Sequence, residues 1–143
     1  MSQTIQVLKV IEPDILETVF AIRREVFVIE QNCPPELEWE YEDEAIHFLA
    51  TVNNEPAGAA RWRKTEIGYK LERFAVLKKF RGSGIGHELI KAVLADLPPE
   101  AFYIYLHAQV QAIPFYEKLG FTKIGNEFEE AGILHYKMIK NSI

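Results

Sequence analysis

Gly82, Gly84 and Gly86 stand at alternate positions after Arg81, where an apolar strand-like run gives way to a helical pattern. The stretch from Leu71 to Ile90 reads L-E-R-F-A-V-L-K-K-F-R-G-S-G-I-G-H-E-L-I. The chemistry open to such a turn is anion binding. The first backbone N–H groups of a helix have no partner within it, and that end carries partial positive charge. Phosphate is drawn there. Glycine lets the backbone approach a bulky anion and adopt positive φ without a Cβ clash. Lys78 and Lys79 make a local basic cluster with Arg81, and they either strengthen this field or are simply solvated.

Spacing narrows the ligand. A P-loop needs four residues between its glycines and then Gly-Lys-Ser/Thr, and nothing after Gly86 supplies that. A dinucleotide turn needs G-x-G-x-x-G, whereas Glu88 and Leu89 follow Gly86 here. What remains is Arg81-x-x-Gly84-x-Gly86. It resembles the pyrophosphate-binding loop of the GCN5-related N-acetyltransferases (GNAT), which bind acetyl-coenzyme A. A second stretch, A-I-P-F-Y-E-K-L-G-F from Ala112 to Phe121, is similar to the last helix and following strand of that superfamily. The resemblance spans nearly the whole chain. R-R-E-V-F-V-I-E-Q-N near Arg23, H-A-Q from His107 to Gln109 and E-E-A-G-I-L-H ending at His135 resemble one bacterial subgroup of small, single-domain members.

The resemblance implies acetyl-coenzyme A as co-substrate and direct attack by an amine, with no covalent enzyme intermediate. The thioester must be held near the nucleophile, the amine must lose a proton, the carbonyl oxygen needs stabilisation and the thiolate needs a donor. The family gives the first and third tasks to the strand before the loop, here Phe74, Ala75 and Val76, chiefly through the backbone of Phe74 and Val76. Arg81, Gly82, Ser83, Gly84, Ile85 and Gly86 would hold the pyrophosphate, with Phe115 and Gln109 as further coenzyme contacts. Gln109 stands where many relatives carry asparagine, which weakens the transfer of that contact. Tyr116 is the candidate donor to the thiolate, since a phenol of ordinary pKa ≈ 10 is protonated at neutral pH; its alternative role is core packing. Glu72 matches a glutamate of some members, including hexosamine-phosphate acetyltransferases. It acts through water, attracts a cationic amine, or pairs with an arginine. His107 is a competing base or a structural hydrogen-bonder. Arg24, Gln31, Arg61, Arg63 and His135 are candidate acceptor-pocket residues.

Those residues need elements to position them. Alternation around Ile5 and Val7 predicts a first strand ending near Val10. Pro13 suits a first helical position, and apolar spacing from Ile15 to Phe27 predicts a helix to about Ile29. Pro34-Pro35 would end it, and Glu36, Glu38, Glu40, Glu42, Asp43 and Glu44 read as a solvated loop. His47–Val52 and Ala57–Arg63 predict a hairpin about the Asn53-Asn54-Glu55-Pro56 turn. A strand over Tyr69–Leu77 leads to the loop, and Ile85, Leu89, Val93 and Leu97 form one helical stripe closed by Pro98-Pro99. Phe102–Leu106 reads as a central strand, Ile113–Leu119 as a helix capped by Gly120, and Phe121–Ile124 with Leu134–Ile139 as a last hairpin around Gly132. The order is β-α-β-β-β-α-β-α-β-β. This predicts an α/β (α+β) chain with a mixed, mostly antiparallel central sheet flanked by helices. It resembles the acetyltransferase fold, in which the strands on either side of the loop and its helix part to admit pantetheine.

Composition sets the outer bounds. The 143 residues fit one domain spanning 1–143, and 48% hydrophobic with 26% charged residues is an ordinary globular balance. A formal net charge of −5 argues against nucleic acid or an anionic membrane as partner. The one cysteine, Cys33, excludes an internal disulfide, and the histidines lack metal-ligand spacing, so no metal is expected. The start, M-S-Q-T-I-Q-V, lacks a basic, apolar leader pattern, and no run approaches the ~20 apolar residues of a membrane span. A cytoplasmic enzyme is expected, acting on an amine of a small molecule or peptide, as a monomer or homodimer. Two alternatives stand beside it: an amino-sugar phosphate N-acetyltransferase, and a non-catalytic acetyl-coenzyme A-binding module.

Overall fold

The computed structural model describes residues 4–31, 45–99, 101, 103–130 and 132–140. Cys33, Pro34-Pro35, the acidic run from Glu36 to Glu44 and Phe102 lie outside the described residues. The elements follow the predicted order: β1 (Ile5–Lys9), α1 (Pro13–Arg23), β2 (Ile46–Val52), β3 (Glu55–Lys64), β4 (Tyr69–Val76), α2 (Ile85–Asp96), β5 (Ile104–Gln109), α3 (Ile113–Glu117), β6 (Phe121–Glu130) and β7 (Ile133–Lys140). Short 3₁₀ turns, Lys78–Phe80 and Val110–Ala112, lead into α2 and α3. The strands form one seven-stranded sheet in the order β1-β2-β3-β4-β5-β7-β6. Only β4 and β5 are parallel; every other neighbouring pair is antiparallel.

Local chemistry explains the main turns. Asn53 and Asn54 have φ of 50° and 71°, the left-handed pair that a two-residue hairpin requires and that asparagine tolerates. Gly84, at φ 87°, is the residue on which the chain swings into α2. The buried stripe of α2, Ile85, Leu89, Ile90 and Val93, packs on one face of the sheet with Phe48, Leu71, Leu106 and Met138. Full burial of each such side chain contributes about 1.5–3 kcal/mol. On the other face α1 sets Val19 and Ile22 against Leu49, Ala59 and Ala75.

Three predicted boundaries change. The first helix continues to Glu30, but from Arg24 it widens into a π-helical segment, Arg24–Glu30. The buried stripe of Val19, Ile22, Arg23 and Val26 keeps ordinary helical spacing into that segment, and Arg24 lies off it, exposed. β5 begins later and runs on through His107 to Gln109, so that the histidine lies within a strand, not after one. The last hairpin is longer than its apolar residues indicate, because Phe128, Glu129 and Glu130 still pair with β7.

Candidate active site

β4 pairs with β5 only through Tyr69–Leu71 and Ile104–Leu106. Beyond Leu71 the two strands part, so Glu72–Val76 keep β3 on one edge and have no strand on the other. A cavity of about 520 Å³ opens at this parting. Leu71, Glu72, Arg73 and Phe74 of β4 line it, with Leu106, His107 and Gln109 of β5 and Tyr116 of α3. The lining also includes Gln31, Arg63, Lys70, Glu130 and His135.

The wall formed by β4 is irregular. Ala59 pairs with Ala75 and Arg61 with Glu72, so Arg73 and Phe74 together oppose the single Ala60. This bulge holds Arg73 at φ 58°, a left-handed conformation that costs a non-glycine residue about 1–2 kcal/mol. The bulge takes backbone groups out of the ladder beside the cavity, where a carbonyl oxygen gaining negative charge would need donors.

The glycine turn lies directly after this strand. Gly82 and Gly84 have φ of 85° and 87°, and a Cβ built on either would meet no atom within 4 Å. Their outward side is open to a ligand. Gly86 differs, since a Cβ there would come 3.2 Å from the Phe115 ring. Phe115 in turn stands edge-on to Tyr116, with ring centroids 5.1 Å apart. Arg81 donates from Nε to the Val76 carbonyl at 2.9 Å and from both Nη atoms to Glu30, at 2.7 and 2.8 Å. Its fork therefore ties the end of the π-helical segment to the loop. Ile85 is buried in the core beneath the turn, and Ser83 is half-buried.

Tyr116 is 8% exposed and lies against Phe74, Phe115 and Phe121. Burial pushes its phenol above the ordinary range, so it stays protonated and able to donate. Packing residue and cavity residue are here the same side chain.

Glu72 is heavily engaged. Arg61 and Arg63 donate from Nε to its Oε1 at 2.9 and 2.7 Å, and Lys70 Nζ lies 3.3 Å from Oε2. Burial alone would raise its pKa, but Arg61, Lys70 and Arg63 outweigh that and hold it below the ordinary carboxylate value. A carboxylate so stabilised is a weak proton acceptor.

A second carboxylate, Glu130, was not among the predicted residues. Its Oε1 lies 3.0 Å from His107 Nδ1 and its Oε2 lies 3.8 Å from His135 Nε2. The His107 hydrogen bond outweighs burial, and with Lys70 and both imidazoles it holds the Glu130 pKa down at about 2. The sequence signal was its alternate spacing with Phe128 on the strand facing His135, a pattern visible only once the hairpin is known to extend that far.

The structure thus gathers Tyr116, Glu72, His107, Phe74, Gln109, Gln31, Arg63 and His135 around one cavity. Gln109 and Gln31 face each other as an amide pair, the Gln109 Nε2 donating to Gln31 Oε1 at 2.9 Å. Arg24 does not line the cavity: it lies off the buried stripe of its helix and is exposed. Arg61 is fully buried behind Glu72, and Ala75 is packed under α1. Among the described residues no cluster of three or more His, Cys, Asp or Glu side chains could hold a metal, and no helix is long and apolar enough to cross a membrane.

A parted sheet, an open glycine turn and a buried tyrosine define a class, and comparison with known proteins agrees. The acetyltransferase (GNAT) domain family matches residues 10–142. An N-acetyltransferase of Bacillus subtilis, YjcF, named as uncharacterized, is 43% identical over 131 residues, covering 88% of this chain and 92% of that protein. Protein ElaA of Escherichia coli is 30% identical over 146 residues, covering 90% of this chain and 88% of that one. The ElaA crystal structure aligns with a TM-score of 0.80 over 98% of this chain and 100% of that one, at 26% identity. An acyl-CoA N-acyltransferase of Pseudomonas aeruginosa shares the fold at a TM-score of 0.82 and 24% identity, over 98% of this chain and 100% of that chain. The chain belongs to the GNAT acetyltransferase family, and it is an acyltransferase whose family uses acetyl- or acyl-coenzyme A as co-substrate.

Proposed function

We propose that the protein moves the acetyl group of acetyl-coenzyme A to a primary amine of a small molecule or peptide by direct attack. The observation that carries this reading is the parting of β4 and β5 beyond Leu71 and Leu106, with the glycine turn following β4 and Tyr116 on the cavity wall. Backbone N–H groups of the turn take the pyrophosphate, pantetheine enters the slot, and the thioester lies along the bulged part of β4. Phe115, packed on Gly86, forms part of the slot's side.

The amine arrives as an ammonium ion and first gives one proton to a base in the cavity. Its nitrogen lone pair then forms the C–N bond at the acetyl carbon. The oxyanion is stabilised by backbone donors of the Arg73–Phe74 bulge. As the C–S bond breaks, the thiolate takes the Tyr116 proton, and the surplus proton on the new amide nitrogen restores the phenol. The products are the N-acetyl amine, coenzyme A and one proton. Gln31, Arg63 and His135, on the cavity lining, are the acceptor contacts in this reading.

A second reading, an amino-sugar phosphate as acceptor, is favoured by one observation. Arg63 and Lys70, two cations beside Glu72, both line the cavity. Coenzyme titration tests the first requirement of either. Binding to the folded state alone stabilises it by about 2.7 kcal/mol at one hundred times Kd. Acetyl-coenzyme A and coenzyme A should raise the melting midpoint, and NAD and ATP should leave it in place. A shift with NAD alone would overturn the assignment.

A further inference from the structure

The far side of the cavity holds a linked group of side chains carried by three strands. His107 comes from β5, His135 from β7 and Glu130 from β6, and sheet alternation puts all three on one face. Phe128 steadies both imidazoles. It stands edge-on to His107 with centroids 5.0 Å apart and is stacked on His135 at 5.9 Å.

Proton positions follow from the partners. An ionised carboxylate can only accept, so the 3.0 Å contact with Glu130 Oε1 puts the hydrogen of His107 on Nδ1 and leaves the Nε2 lone pair free to take a proton. His135 Nδ1 lies 2.7 Å from the Ile133 carbonyl oxygen, another pure acceptor, so its hydrogen is also on Nδ1. The 3.8 Å between its Nε2 and Glu130 Oε2 is too long for a hydrogen bond. His107 is thus the imidazole bonded directly to the carboxylate. Glu72, by contrast, already receives two arginines and a lysine.

Resting on the acetyl-transfer reading above, we propose that His107 is the base that takes the acceptor's ammonium proton. Glu130 is the positioning residue that fixes its tautomer and ring orientation. The proton moves from the ammonium nitrogen to His107 Nε2, the neutral amine attacks the thioester, and the imidazolium gives its proton to water once the product has left. While His107 is charged, Glu130 is its counter-ion.

The other charged and titratable groups on this face include Arg61 and Arg63 of β3, Lys70 and Glu72 of β4, Tyr105 of β5, and His135 and Lys137 of β7. Lys137, paired in register with His107, sits over the Tyr103 and Tyr105 rings at 5.1 and 4.9 Å.

The test joins a spectroscopic reading to a kinetic one. Nitrogen NMR of the wild-type protein, at a pH well above the ordinary histidine range, should show His107 as the Nδ1–H tautomer. Glu130→Gln can donate to Nδ1 as well as accept from it, so it should give a tautomer mixture. On an accepted amine, His107→Gln should lower kcat roughly 10³-fold and Glu130→Gln roughly 10²-fold, with KM for acetyl-coenzyme A nearly constant. An Nε2–H tautomer in the wild-type protein overturns the proposal without any acceptor, and leaves the acetyl-coenzyme A reading standing. So does a Glu130→Gln enzyme within twofold of wild type, or full activity in His107→Gln. Failure to bind acetyl-coenzyme A at all would instead remove the reading on which the proposal rests.

Discussion

The glycine turn and the polar sheet face stand at opposite ends of the same proposed reaction and are built in opposite ways. In the proposed reaction the turn works through backbone N–H donors, and its side chains are mostly missing: Gly82 and Gly84 leave open space where a Cβ would stand. Its geometry is local, written in six consecutive residues. At the sheet face the working groups are side chains of Arg63, Lys70, Glu72, His107, Glu130 and His135, brought together from five strands. In this account the backbone site meets what every coenzyme A thioester shares, the pyrophosphate. A side-chain site can be rewritten one residue at a time, and that is where selectivity for an amine resides in this account.

That division separates what mutations should do. The largest effect on stability is expected at Glu72, where three cations meet one carboxylate whose side chain is 9% exposed. Glu72→Gln removes the negative charge that Arg61, Arg63 and Lys70 meet and should cost about 3 kcal/mol of stability, read by denaturant unfolding at neutral pH. The sign with pH follows from the lowered pKa. The contribution is complete above the ordinary value of 4.5 and is lost as pH falls below it, so variant and wild type should converge in acid. A variant as stable as wild type but catalytically dead would reverse the roles given to Glu72 and His107.

Tyr116→Phe keeps the ring and its contacts with Phe74, Phe115 and Phe121. A roughly 10²-fold fall in kcat is expected, with stability and KM for acetyl-coenzyme A little changed, because only a contact with the departing sulfur is lost. Steady-state kinetics on a verified amine checks it. Normal turnover would make Tyr116 a packing residue.

Gly84→Val probes the other end. The position demands a left-handed φ, and a branched side chain would fill the open side of the turn. Coenzyme affinity should fall at least tenfold, about 1.4 kcal/mol, by calorimetric titration, while the His107 tautomer stays as in wild type. Unchanged affinity would mean that the phosphates lie elsewhere.

Smaller again is Gly86→Ala. Its new methyl would stand 3.2 Å from the Phe115 ring, close enough that the ring must give by a few tenths of an ångström. A two- to threefold loss of coenzyme affinity, roughly 0.5 kcal/mol, is expected in the same titration.

The two ends also differ in how far they were legible. Arg81 to Gly86 and the Tyr116 run carry their meaning in consecutive residues, so the turn, its helix and the order of elements along the chain could be read directly. The sheet face could not. Glu130 lies 23 residues from its partner His107, and only the β5–β7–β6 register brings them together. The left-handed Arg73 is equally silent, because nothing about an arginine advertises positive φ; the bulge comes from fitting two residues opposite Ala60. Arg24 was a candidate that helical spacing alone argues against: the apolar stripe runs through Arg23, which is buried, and Arg24 lies off it and is exposed.

The most direct test of the central claim is thiol release from acetyl-coenzyme A across a panel of amines, with the acetylated product identified by mass spectrometry. The account predicts that at least one primary amine accelerates thiol release, with one N-acetyl product formed per thiol and the acceleration lost in Tyr116→Phe. Thiol release that no amine changes, from a protein that binds acetyl-coenzyme A with full affinity, would contradict it.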